Sequence, residues 1–144
     1  MENKSLIIFV VEDNPIYQHL VTKKLDPVTD AIHFFASREV CIDKLRNSQP
    51  DIIVLNNDLE GALSGLDTVR TIRSTNQELC VIIFSGVQGL DTAENLSTYG
   101  HFEYVEKDEM AFSHLKNKIC TTEVYLLKNR VLENVALGIR VQVL

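Results

Sequence analysis

The sequence is short of several things that would announce a function. It has three cysteines, Cys41, Cys80 and Cys120, odd in number and far apart. No C-x-x-C pair exists, so zinc-ribbon and thioredoxin-type readings have no support, and a disulfide framework is excluded. A reducing, cytoplasmic setting is expected. Basic residues are outnumbered, 14 Lys and Arg against 20 Asp and Glu, for a formal net charge of -6. That balance disfavours a nucleic-acid-coating surface. It leaves room for a cation site, which needs clustered acids. The first apolar run, Leu6–Val11, holds only six residues, too few for a signal-peptide core or a membrane span. His19, His33, His101 and His114 are scattered without metal-ligand spacing, which points to structural or surface roles. There is no glycine-rich phosphate loop and no G-x-S-x-G elbow, so a flavodoxin-like enzyme is set aside and no catalytic activity is expected.

What is present is a chain of 144 residues, 45% hydrophobic and 24% charged, which suits one domain with its own core. A chain of this size buries roughly two-thirds of its unfolded surface and needs no staple. Short apolar runs alternate with amphipathic stretches. Leu6–Val11, Ala31–Ala36, Ile52–Leu55, Leu79–Phe84 and Tyr104-Val105 read as five strands. Asp13-Asn14-Pro15 opens a first helix, with Asp or Asn as its cap and Pro in the first turn, and Ile16, Leu20, Val21 and Leu25 follow at helical spacing. Ser37 caps a second, with Val40, Cys41 and Leu45 inward. Leu66, Val69 and Ile72 mark a third, 91–99 a short fourth, and a last helix starts near Glu109. Continuous apolar strands separated by helices predict a doubly wound α/β domain with a five-stranded parallel sheet. In such sheets the functional crevice lies beyond the carboxyl ends of the strands.

The residues just past each strand therefore carry the chemistry. Glu12 and Asp13 follow strand 1; Asn56, Asn57 and Asp58 follow strand 3; Ser85 follows strand 4; Lys107 follows strand 5. Val10-Val-Glu-Asp-Asn-Pro15, Pro50-Asp-Ile-Ile-Val-Leu-Asn56, Phe84-Ser-Gly86 and Tyr104-Val-Glu-Lys107, in this order, resemble the response-regulator receiver domain of two-component signalling over about residues 5–120. The resemblance implies a flavodoxin-like receiver fold and a Mg²⁺ site drawing on Glu12, Asp13, Asn56 and Asp58. It also implies a phosphate pocket of Ser85 and Lys107, and a switch aromatic, Tyr104, whose plainer role is packing on the last helix. The residue types fit: adjacent carboxylates tolerate each other best around a cation, and a metal with a lysine neutralises charge on a transferred phosphoryl group.

The sequence departs from the family pattern, above all at position 56. Asn56 stands where the family carries its phosphoacceptor aspartate, and an amide is a poor nucleophile that cannot form an acyl phosphate. It can still offer a carbonyl oxygen to a cation, so a weakened Mg²⁺ site is expected. Asp58, two residues on, is an alternative acceptor by strand parity. Asp108 stands where proline is usual, so this loop is either differently shaped or strained. The reading is a receiver-like module that is not phosphorylated at the usual place and acts through contacts with a histidine kinase or an output protein. The rival is a conventional Mg²⁺-dependent phosphoacceptor, using Asp58 or an Asn56 engineered from aspartate.

Thirty-seven residues follow Lys107, more than the resemblance leads one to expect. Leu115, Ile119, Thr122, Leu126, Asn129 and Leu132 approximate a helical stripe, and Leu137–Leu144 alternates like a strand. Residues 1–122 are read as receiver and 123–144 as an extension that could pair with a second copy. Neither nucleic acid nor membrane is expected as a partner.

Overall fold

The computed structural model describes residues 6–25, 31–56, 65–86 and 103–138. Elements follow in the order β1 (Ile7–Val11), α1 (Pro15–Leu25), β2 (Ala31–Phe35), α2 (Arg38–Leu45), β3 (Ile52–Asn56), α3 (Gly65–Thr75), β4 (Cys80–Ser85), β5 (Glu103–Glu106) and α4 (Ala111–Ala136). The expected helix at 91–99, the loop carrying Asp58 and the strand-like end from 139 lie outside the described residues.

The strands form one parallel sheet in the order β2-β1-β3-β4-β5. Strand addition reverses between β1 and β3, and that reversal opens a crevice at their carboxyl ends. Alternation along each strand splits the core in two. Ile8, Val10, Ile52, Val54, Ile82, Phe84 and Val105 meet Val21 and Leu25 of α1 and Leu115 and Ile119 of α4. Phe9, Val11, Ile53, Leu55, Val81 and Ile83 meet Cys41 and Leu45 of α2 and Val69 and Ile72 of α3. Coverage of both faces is why the central strands read as unbroken apolar runs.

Helix starts follow their capping chemistry. Asn14 Oδ1 accepts the Ile16 N–H at 2.9 Å, with Pro15 as first helical residue. Ser37 Oγ accepts the Val40 N–H at 3.2 Å. The inward assignment of Val40 is corrected, since Val40 is exposed, and Ile16 at the head of the first helical spacing is exposed as well. The buried stripe of α1 runs through Tyr17, Val21 and Leu25, and that of α2 through Arg38, Cys41 and Leu45. At about 100° per residue, Ile16 and Val40 fall off those stripes.

The Lys107–Asp108 loop is differently shaped rather than cis, since no cis peptide occurs among the described residues. The Asp108 N–H donates to the Glu106 carbonyl at 2.9 Å, and Asp108 Oδ1 accepts the Met110 N–H at 2.8 Å. The aspartate thus makes an Asx turn leading into α4.

Helix α4 has 26 residues and is about 39 Å long, whereas a five-residue strand spans about 17 Å, so the helix overshoots the sheet. Ala111, Leu115 and Ile119 are buried. Lys118 pairs with Glu103 at 2.8 Å and Arg130 with Asp51 at 3.4 Å, tying the helix to both β5 and the approach to β3. The helix runs unbroken through 122–123. Leu132 leaves the predicted stripe and is exposed, because it sits about 120° from the inward line through Leu115 and Ile119. The turn at Leu137-Gly138 ends the helix, with Gly138 at φ +73°, the left-handed setting glycine accepts at a helix end. Among the described residues no helix is long and apolar enough to cross a membrane.

Candidate functional site

Three strands deliver one residue each to the crevice. Glu12 follows β1 directly and is buried; its N–H donates to the Phe35 carbonyl at 2.9 Å, which fixes its backbone against β2. Its Oε1 accepts the Asn14 N–H at 3.2 Å. Its Oε2 accepts from Asn56 Nδ2 at 2.9 Å and lies 3.6 Å from Lys107 Nζ. Asn56 is the last residue of β3, also buried, and its main-chain carbonyl accepts from a guanidinium nitrogen of buried Arg38 at 3.5 Å. Lys107 follows β5, its side chain 10% exposed.

The carboxylate fixes which end of the Asn56 amide faces it, since only the NH₂ can donate. A buried ion pair is tolerable only when its remaining lone pairs and protons find partners. Among the described residues the Glu12 carboxylate faces the Lys107 ammonium, and the Asn56 amide donates to the same carboxylate without adding charge. The Lys107 ammonium also lies 4.7 Å from the centre of the Tyr17 ring and 5.3 Å from that of Phe84. Both distances are within cation–π range. Tyr17, Phe84 and Phe112 pack ring against ring at 5.9–6.4 Å between centres, from α1, β4 and α4.

Of the residues singled out in sequence, Glu12, Asn56 and Lys107 come together. Asp13 is exposed on the rim. Ser85 ends β4, with its side chain outside the description, and Asp58 lies outside the described residues. Tyr104 is half-buried and packs on the α2/α3 side of the sheet, not on the last helix. Sequence reasoning missed Arg38 and the aromatic enclosure of Lys107. Tyr17 could have been found as the first member of the stripe continued by Val21 and Leu25.

The geometry also tests a cation. Both Glu12 oxygens already receive protein N–H donors, Asn56 turns its NH₂ inward, and the ammonium of Lys107 supplies positive charge beside Oε2. Among the described residues no three His, Cys, Asp or Glu are grouped to hold a metal. In this arrangement the described donors Glu12 and Asn56, with Lys107 beside them, do not form a Mg²⁺ site.

Comparison with known proteins agrees with this architecture. The chain is 26% identical over 104 residues to a protein-glutamate methylesterase/protein-glutamine glutaminase of Trichodesmium erythraeum (strain IMS101), covering 69% of this chain and 29% of that protein. It is 28% identical over 126 residues to protein-glutamate methylesterase/protein-glutamine glutaminase 2 of Paramagnetospirillum magneticum (strain ATCC 700264 / AMB-1), covering 82% and 36%. The chain thus spans 29% and 36% of the length of these two relatives. The signal receiver domain of a putative Luxo repressor protein from Vibrio parahaemolyticus superposes with a TM-score of 0.80 at 22% identity, over 90% of this chain and 98% of that one. The phosphorylated cyanobacterial phytochrome response regulator RcpA gives 0.70 at 22% identity, over 88% and 96%. Both share the flavodoxin-like receiver fold. The family described as "Response regulator receiver domain" matches residues 8–119, and the chain belongs to that family.

Proposed function

We propose that this receiver domain is a pseudo-receiver: it is not phosphorylated at position 56 and signals by binding other proteins. The hydrogen bond from Asn56 Nδ2 to Glu12 Oε2 at 2.9 Å carries the reading. A phosphoacceptor must present a carboxylate oxygen to an incoming phosphorus, whereas this residue presents an amide nitrogen to a carboxylate and stays neutral. Lys107, the expected partner of a phosphoryl oxygen, is engaged by Glu12 and covered by two rings.

The chain in this reading has no enzymatic activity of its own. Its partners are a histidine kinase or an output protein, met through the β5 and α4 side, with residues 1–122 as the receiver part and 123–144 as an extension. The methylesterase and glutaminase names belong to relatives of much greater length. A weak Mg²⁺ site would require Asn56 to turn away from Glu12.

Incubation with radiolabelled acetyl phosphate and Mg²⁺ tests the proposal. The native chain is expected to take up no hydroxylamine-labile label, while Asn56→Asp gains it. Stoichiometric hydroxylamine-labile label on the native chain, mapped to Asp58 or any other carboxylate, would overturn it.

A further inference from the structure

The distal half of α4 carries apolar residues on two opposite faces. The inner face is accounted for, through half-buried Leu126 against the core and Arg130 on Asp51. The outer face is not. Val124, Leu127 and Val135 are 65%, 55% and 62% exposed, with half-buried Val131 between them. At about 100° per residue these four lie within about 80° of one another and point away from Leu115, Ile119 and Leu126.

The spacing is that of a heptad. Val124 and Val131 stand seven apart at one seam position, with Cys120, Leu127 and Asn134 at the other. Valine at the first position with Leu127, the one leucine at the second, is the pairing that favours two parallel strands. The flanking charges identify the occupant. Glu123 and Lys128 are both exposed, lie on either side of the seam and are five residues apart. That is the separation at which a flanking residue of one helix meets its opposite number across a parallel, in-register pair. Two copies therefore make two complementary Glu–Lys contacts.

We propose that residues 120–135 form a parallel, in-register two-stranded coiled-coil seam between two copies of this chain, with Glu123 of each facing Lys128 of the partner subunit. The seam commits to a second copy because the chain complements itself in charge and register. It stands independently of whether residue 56 takes a phosphoryl group.

Sedimentation of the full 144-residue chain from micromolar to millimolar concentration tests it. The mass is expected to rise from one chain towards two. Leu127→Glu holds it at one without changing thermal unfolding of the domain, since Leu127 is exposed. Glu123→Lys and Lys128→Glu each turn two attractions into repulsions and weaken the dimer roughly tenfold, and their equimolar mixture restores it, because both contacts are then complementary. Copper–phenanthroline oxidation of the native dimer joins two Cys120 thiols in one disulfide, and Cys120→Ser abolishes the product. A chain monomeric at millimolar concentration, a dimer indifferent to Leu127→Glu, or a mixture no tighter than its components would overturn the proposal.

Discussion

Asn56 Nδ2 donates to Glu12 Oε2 at 2.9 Å, and that bond sets the charge of the pocket. The amide lets two buried polar side chains from neighbouring strands touch without repulsion. Lys107 then faces the Glu12 carboxylate at 3.6 Å.

Asn56→Asp should undo this economy. Two buried carboxylates at hydrogen-bonding distance disfavour each other's ionised form. Stability in a chelator should fall by about 1–3 kcal/mol. Millimolar Mg²⁺ should restore part of the loss by binding only the folded state. Urea midpoints with and without Mg²⁺, at constant ionic strength, measure both effects. Equal stability of the variant and the native chain in chelator contradicts the account.

Lys107→Met keeps the apolar stem on Tyr17 and Phe84 but leaves Glu12 buried without its cation. The expected cost is about 2–4 kcal/mol. Adding Glu12→Gln to that variant should recover a large part, because the uncompensated charge is gone. A double-mutant cycle by chemical denaturation gives the coupling. Additive losses would mean that the pair is not coupled.

The two halves of α4 should respond differently to truncation. Leu115→Ala opens a cavity between helix and sheet and should cost about 2–5 kcal/mol. Leu132→Ala, on the exposed part, should stay within about 0.5 kcal/mol for a monomer. Comparing the two by urea denaturation at low protein concentration tests how far the core reaches along the helix.

Burial pushes the Cys41 thiol up to about 12. Folding thus holds a proton that the unfolded chain releases from about pH 9 upward. The unfolded state binds fewer protons in that window, so stability falls as pH rises from about 9 towards about 12, with no effect below. Cys41→Ala should flatten this alkaline slope in urea midpoints, whatever it costs in packing. At neutral pH a thiol reagent should label half-buried Cys120 well before buried Cys41. An unchanged slope in the variant would assign the alkaline loss to other groups.

Much of this was readable from the sequence because the physics is local. Strands β1, β3 and β4 are covered on both faces, so their residues are apolar without interruption. Asn14 and Ser37 cap helices because their side chains reach N–H groups only two or three residues on. Local signals failed where an angle decided the outcome. Ile16 and Val40 are apolar yet point outward, each off its helix's buried stripe by about a quarter turn or more. The enclosure of Lys107 joins Tyr17 and Phe112, far apart in the chain, and no nearby pattern links them. At position 56 the residue type was plain in the sequence. The end of the amide facing inward followed only once Glu12 was seen opposite.

The turn that follows Lys107 passes directly into α4, and that helix is anchored again near its far end by Arg130 on Asp51. A rod about 39 Å long, packed on the sheet through Ala111, Leu115 and Ile119 and pinned again at Arg130, joins the pocket edge to a surface well beyond the sheet. The same helix thus borders Lys107 at one end and carries exposed Val135 at the other, so one rigid element serves both the pocket and the outer surface.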